Sequence, residues 1–294
     1  MSETEREVAS QPWCWRQARA RAPIAALDLP RPGQRAAVAG CGTSLYMAQA
    51  YAALREGAGH GETDAFPASE FPLARRYDRV VAISRSGTTT EVMRLLEDLG
   101  RERSVAVSAV GASPVVAAAG AGVILEFADE RSVVQTRFAT SVLALLRSAL
   151  DEDVEPAAAD AEAVLAADLP VEDPAAFGHA VFLGHGWTVA LAHEAALKLR
   201  ESAQLHTESY PAMEYRHGPV SLAGPASLVW ILGSPDPAVA EEVRSTGATV
   251  VERPSHRDPL AELVMIHRVA LALAASRGLD PDHPRNLTRS VVLS

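Results

Sequence analysis

A short apolar run that ends in a glycine-flanked turn and then passes into a helical pattern occurs twice in this chain. The copies are Val38-Ala39-Gly40-Cys41-Gly42 and Phe182-Leu183-Gly184-His185-Gly186, with Gly40 and Gly184 separated by 144 residues. A buried strand that turns sharply into a helix needs small residues at the turn, and a repeat of that junction implies two copies of one α/β unit. The alternation continues around each copy. Strands are expected near 36–39, 62–66, 80–83, 104–110 and 123–127, between helical patterns near 45–54, 70–75, 91–99, 114–119 and 134–150. Later, strands near 180–183, 228–232 and 249–252 alternate with helices ending at Glu201 and near 238–245 and 260–276. Short strands separated by helices predict mostly parallel sheets covered on both faces. The expected layout is an arm over 1–22, broken at Pro12, a first α/β domain over 23–150, a connecting helix over 151–175 and a second domain with a C-terminal tail over 176–294.

The most distinctive local chemistry follows the third strand, where Ser84-Arg85-Ser86-Gly87-Thr88-Thr89-Thr90 separates Val80-Val81-Ala82-Ile83 from a helical pattern. Free backbone N–H groups, the positive end of the helix dipole and short hydroxyl donors converge at such a junction, which suits a phosphate. One or two hydroxyls there are ordinary helix caps; five in seven residues favour a cradle. The second copy carries Pro235-Asp236-Pro237 at the corresponding place, so the phosphate signature belongs to the first copy. Gly42-Thr43-Ser44 taken alone is a tight turn with a cap; beside the Ser84 loop it becomes a second wall of one crevice at the carboxyl edge of a sheet.

The chain's net charge of −10 argues against a nucleic-acid or anionic-membrane partner, so an anionic ligand has to be held by local dipoles and a few placed cations. Cys14 and Cys41 are the two cysteines, which is no disulfide framework. The acidic start, Met1 to Glu7, lacks the apolar stretch of a signal peptide, and no uninterrupted apolar run approaches membrane-spanning length. A cytoplasmic protein is the expectation.

Two further stretches carry titratable groups. Glu194, Lys198 and Glu201 lie at i, i+4 and i+7 on one helix face, which reads either as a solvated face with an ion pair or as part of a site. His217, in Arg216-His217-Gly218-Pro219, reads either as a loop histidine or as an acid/base partner to Glu201.

Six motifs stand in the order of a known family: Gly40-Cys41-Gly42-Thr43-Ser44, Ser84-Arg85-Ser86-Gly87-Thr88-Thr89, Phe182 to Gly186, Ala196-Leu197-Lys198-Leu199-Arg200-Glu201, Arg216 to Pro219, and Pro284-Arg285-Asn286-Leu287-Thr288-Arg289-Ser290-Val291. Across nearly its whole length the chain resembles the double sugar-isomerase (SIS) family, typified by the isomerase half of glucosamine-6-phosphate synthase and its aminosugar-phosphate isomerase and deaminase relatives. Glu7 to Pro12 is similar to the arm before the first SIS domain there. The resemblance implies two tandem SIS-type domains. It also implies a phosphosugar substrate held at Gly42, Thr43, Ser44, Ser84, Arg85, Ser86, Thr89 and Arg289, with no metal and no cofactor. Glu201 is implied as the carboxylate that shuttles a proton between C1 and C2, Lys198 as a lysine near the open-chain sugar, and His217 as the ring-opening histidine contributed by the partner subunit of a homodimer.

The departures narrow the expectation. About 35 residues precede the first strand, so no glutaminase domain is expected here. Arg85 and Thr88 replace a Gln and a Glu of the synthase loop, as in deaminase-like relatives. Arg289 replaces a lysine, and arginine does not readily form a Schiff base. Gln135-Thr136-Arg137 replaces Ser-Thr-Lys. The expected activity is therefore isomerisation or deamination of an aminosugar 6-phosphate. The alternatives are a fructosamine-6-phosphate deglycase and a non-catalytic phosphosugar sensor, for which the N-terminal segment offers no DNA-binding domain.

Overall fold

The computed structural model describes residues 1–234 and 236–293, and its contacts divide the chain into two compact units. One unit contains Trp13–Arg131, Gln135–Glu155 and the residues from Thr288 onward; the other contains Met1–Pro12, Ser132–Val134 and Pro156–Leu287. They are called the cradle unit and the ladder unit below.

After α1 (Glu3–Ala9), which belongs to the ladder unit, the cradle unit runs α2 (Gln11–Ala25), β1 (Ala36–Gly40), α3 (Thr43–Gly57), β2 (Thr63–Pro67), β3 (Arg79–Ile83), α4 (Thr90–Leu99), β4 (Ser104–Ser108), α5 (Pro114–Ala118), β5 (Ala121–Ile124) and α6 (Arg137–Ser148). The sheet order is β2-β1-β3-β4-β5, all parallel. β1 and β4 are buried along their whole length, as small and β-branched strands covered on both faces must be. On one face Val80 and Ala82 pack with Val92, Leu95 and Leu96, the apolar stripe of α4. Because β1 is flanked by β2 on one side and β3 on the other, the chain reverses its direction of travel across the sheet there. Loops leaving β1 and β3 diverge at such a point and open a crevice at the carboxyl edge.

The helix expected near 70–75 is absent: one 3-10 turn at Ala68–Glu70 replaces it. Pro72 has no N–H and pushes Phe71 out of helical geometry, and Phe71 is extended at φ −67°, ψ 126°. The strand expected at 123–127 lies at Ala121–Ile124. The helical break in the arm falls at Ser10 rather than Pro12, because Pro12 sits in the first turn of α2, where its missing N–H costs nothing.

The ladder unit continues with α7 (Glu155–Ala166), β6 (His179–Gly184), α8 (Thr188–Ala203), β7 (His206–Pro211), α9 (Ala212–Tyr215), β8 (Ser227–Ile231), α10 (Ala238–Ser245), β9 (Thr249–Glu252) and α11 (Pro259–Ser276). Its parallel order, β7-β6-β8-β9, repeats that of the first four strands of the cradle unit. Of the Pro235-Asp236-Pro237 turn after β8, Pro235 lies outside the described residues, and Pro237 caps α10. Strand β7, His206-Thr207-Glu208-Ser209-Tyr210-Pro211, has no apolar alternation, and its β character comes from pairing along β6 at the sheet edge.

Three bonds attach α1 to the ladder unit's own residues. The Asp282 carboxylate accepts from Glu3 N, Thr4 N and Thr4 Oγ1 at 2.8, 2.7 and 2.6 Å and so caps the helix. Burial alone would raise the Asp282 pKa, but the bonds from Thr4 and Glu3 outweigh it and hold the carboxyl below its ordinary value. Glu7 accepts from the Ser132 hydroxyl, and the Gln11 amide meets His267 Nδ1 at 3.2 Å. By length and composition α11 is apolar enough to cross a membrane, with mean hydropathy 1.4, yet 67% of it is buried and it packs along α8 as a core helix.

Candidate active site

In the cradle unit two strand-to-helix turns stand side by side at the carboxyl edge, after the adjacent strands β1 and β3. At the first, a Cβ on Gly40 would lie 2.8 Å from the Ser44 backbone carbon, so only glycine lets α3 start this close to β1. Thr43 and Ser44 open α3, both buried. At the second turn, Ser84 Oγ accepts from Gly87 N at 3.2 Å and lies 3.1 Å from Thr89 Oγ1. Ser86 Oγ accepts from Thr88 N at 3.2 Å and from Thr88 Oγ1 at 3.1 Å. Gly87 has φ 66°, and a Cβ there would lie 2.1 Å from Ser113 Oγ, which fixes the loop as a tight nest of hydroxyls. Thr89 is the N-cap of α4 but makes no side-chain cap bond, so its hydroxyl is directed into the nest instead.

Arg289 to Leu293 lie against this loop. Ser290 Oγ accepts from Ser86 Oγ at 3.1 Å and from Thr88 Oγ1 at 2.9 Å, and Leu293 N donates to Thr90 Oγ1 at 2.9 Å. Arg85 does not point outward. Its side chain is 1% exposed, with Nη1 3.6 Å from Glu130 Oε2 and Nη2 donating to Arg289 O at 3.0 Å. Glu130, itself fully buried, accepts through Oε1 from Thr136 N, Thr136 Oγ1 and Arg137 N at 2.6, 2.9 and 2.8 Å, which caps α6. The Arg289 guanidinium pairs with Asp129 at 2.5 Å. Both arginines therefore face carboxylates within the unit, and the hydroxyls form the nest with the Gly87 and Thr88 amides. Gln135 Oε1 is buried with no hydrogen-bond partner among the described residues.

In the ladder unit α8 carries the acid–base–acid series. Lys198 Nζ lies 2.5 Å from Glu201 Oε2 and 3.4 Å from Glu194 Oε1. Side-chain exposure is 1% for Glu194 and Lys198 and 19% for Glu201, which rules out a solvated face. Glu201 opens into a cavity of about 580 Å³ that Leu197, Gln204, Leu205 and Arg285 also line. Gln204 holds a left-handed backbone, φ 52° and ψ 35°, where it ends α8 beside that cavity. His217 is exposed in the loop after α9, its backbone N bonded to Glu214 O, and it is not among the residues that line the Glu201 cavity.

His267, on α11, is a buried titratable group that the sequence did not single out. Gln11 Nε2 donates to Val8 O and faces Nδ1 of His267, so the imidazole proton sits on Nε2. Burial, helped by the Lys198 charge, pushes this imidazole down to about 3. The unfolded chain therefore binds a proton near pH 6.5 that the folded chain refuses, so the stabilising effect is full above pH 6.5 and is lost as pH falls toward 3. Lowering the pH from 7 to 5 is expected to cost about 2 kcal/mol of stability through this group. Denaturant unfolding of the parent chain and of His267→Gln at both pH values measures it; an equal pH slope in the two chains contradicts it. Among the described residues no group of three or more His, Cys, Asp or Glu is placed to hold a metal ion.

No family model matches the chain. It is 28% identical over 318 aligned residues to the isomerizing glutamine–fructose-6-phosphate aminotransferase of Pseudomonas syringae pv. tomato, an alignment covering 87% of this chain and 51% of that protein. The chain thus spans about half the length of the relatives it matches. The structure of glucosamine-6-phosphate deaminase from Thermotoga maritima superposes with a TM-score of 0.81 at 24% identity, over 99% of this chain and 100% of that one. Tagatose-6-phosphate ketose/aldose isomerase from Escherichia coli gives 0.81 at 20%, over 100% and 96%. The fold is that of phosphosugar isomerases. Within it the Ser84 loop, with Ser44 on the neighbouring turn, lies at the strand-order reversal of the cradle unit, and the α8 series belongs to the ladder unit.

Proposed function

We propose that the chain is an SIS-type phosphosugar isomerase that acts on an aminosugar 6-phosphate, with loss or addition of ammonia. The observation that carries this reading is the α8 series: a lysine buried between two carboxylates, with Glu201 opening into a cavity. A buried ammonium paired on both sides is costly to desolvate and is rarely kept without a chemical use. Here it lies beside a carboxylate able to carry a proton.

In the proposed reaction Ser44, Ser84, Ser86 and Thr89, with the first amides of α4, take the phosphate dianion. Glu201 removes the C2 proton of the open-chain aldose to give an enolamine and returns it at C1. The Lys198 ammonium offsets the negative charge that develops on the sugar oxygen. Water then adds to the ketimine and ammonia leaves, so that a 2-amino-aldose phosphate and water become a ketose phosphate and ammonia. Arg289 supports deamination over any route that needs a lysine imine at that position. The similarity to proteins named as glucosamine-6-phosphate deaminase and as an isomerizing aminotransferase supports an amino substituent on the sugar.

The same reading makes the protein a cytoplasmic homodimer in which His217 assists ring opening in the partner's site. The exposure of His217, together with Met213 at 41% and Leu222 at 62% on the same connection, supports it. Assays of ammonia release and aldose–ketose exchange over a panel of aldose, ketose and amino 6-phosphosugars test the function. Turnover of an aminosugar 6-phosphate with ammonia release is expected. Release of an amino acid from a fructosamine 6-phosphate moves the reaction to a deglycase, and tight binding without turnover on the whole panel replaces catalysis with sensing.

A further inference from the structure

We infer that the cradle unit holds a second anion site, at the edge of its sheet opposite the hydroxyl loop, that binds an organic phosphate. A cavity of about 460 Å³ opens there between the segment leading into β3, the C-terminal end of α4 and the loop entering β4. Its volume is in the range of small-molecule sites. Val80, the second residue of β3, lines it, whereas the hydroxyl loop begins after Ile83 at the strand's other end. The two sites are therefore separated by the length of a strand.

The lining has the two halves that an organic phosphate requires. Arg75, Arg76 and Arg103 stand around the cavity against a single carboxylate, Asp98, in a chain whose overall charge is −10. Arg75 is held in place by the Phe66 ring, 5.7 Å from its guanidinium, and by Asp64 at 3.5 Å. The guanidinium groups of Arg76 and Arg103 have no hydrogen bond or ion pair among the described residues and are exposed. With Arg75 paired to Asp64, the carbonyls ending α4 account for one nearby cation but not for both Arg76 and Arg103. Guanidinium forks match phosphate oxygens in a bidentate manner, and more than one fork suits a phosphate dianion or a diphosphate. Leu73, Leu99 and the Tyr77 ring supply the apolar wall for the remainder of the ligand. No side chain assigned to the isomerase reaction lines this cavity, so the site is distinct from the one that holds the sugar.

The test is calorimetric titration of ADP, with inorganic pyrophosphate in parallel, into three full-length chains: the parent, Ser84→Ala/Ser86→Ala, and Arg76→Ala/Arg103→Ala. The expected result is one ADP per chain in the parent and in the serine variant, weakened at least tenfold in the arginine variant, with pyrophosphate weaker than ADP. Thermal unfolding confirms that the exposed arginine substitutions leave the fold intact. Binding that disappears in the serine variant and survives in the arginine variant assigns ADP to the hydroxyl loop and overturns the inference, as does no ADP binding below millimolar concentration. Pyrophosphate binding as tight as ADP overturns the organic part of the ligand. None of these readouts depends on turnover, so failure here leaves the isomerase reading standing, and the reverse also holds.

Discussion

Glu201→Gln is expected to lower turnover by about 10²–10⁴-fold, the usual share of a positioned acid–base group, while sugar-phosphate binding stays within about threefold of the parent. Glutamine keeps the length of the side chain and an oxygen for Lys198, which now lies 2.5 Å from the carboxylate, so packing at the end of α8 survives. What is lost is the capacity to accept and return a proton. Because the phosphate is assigned to the hydroxyl nest of the cradle unit, its binding does not depend on that carboxylate. The measurement is single-turnover kinetics beside equilibrium titration of the same phosphosugar. Retained turnover would falsify the role given to Glu201, and parallel loss of binding would make Glu201 a binding group. A second use of the variant tests the shared-site homodimer: mixed and reassembled with an inactive His217→Ala chain, it is expected to regain activity, which sites confined to one chain do not permit.

The second large effect concerns Arg85→Ala, expected to destabilise the cradle unit by about 3–5 kcal/mol, the cost of leaving one partner of a buried ion pair uncompensated. Arg85 and Glu130 are 1% and 0% exposed and 3.6 Å apart, and Glu130 stays committed to capping α6 when the guanidinium is removed. Arg244→Ala removes an ion pair to Glu252 whose members are 45% and 48% exposed, and it is expected to cost no more than about 1 kcal/mol. Denaturant unfolding of both variants gives the comparison. A cost for Arg85→Ala as small as for Arg244→Ala, accompanied by weaker phosphate binding, returns Arg85 to the role of a substrate cation that its place in the loop suggests. The expected pattern is the reverse, with stability lost first and phosphate affinity reduced only through disorder in the loop.

Local rules made much of the molecule legible from residues alone. Gly40 and Gly87 mark turns where a side chain has no room, and the clustered hydroxyls of 84–90 mark a helix start with unusual donors. Both depend on neighbours a few residues away. Strand β7 was not legible, because His206 to Pro211 are polar and become a strand only by bonding to β6. The helix expected at 70–75 does not form because of Pro72, a local breaker set within a helical pattern. The allegiance of α1 was hidden because its anchor, Asp282, is 278 residues from Thr4.

The sequence by itself determined the repeated α/β alternation, the glycine turns and the hydroxyl nest, since each follows from backbone geometry and short-range hydrogen bonding. Only the tertiary structure decided what the charges do. Arg85 and Arg289 read as cations of the site, and folding sets Glu130 beside the one and Asp129 beside the other. Glu194, Lys198 and Glu201 read either as a solvated face or as part of a site, and burial removes the first of these. Burial and pairing set the energy of a charge, and both come from residues that the chain brings together only by folding.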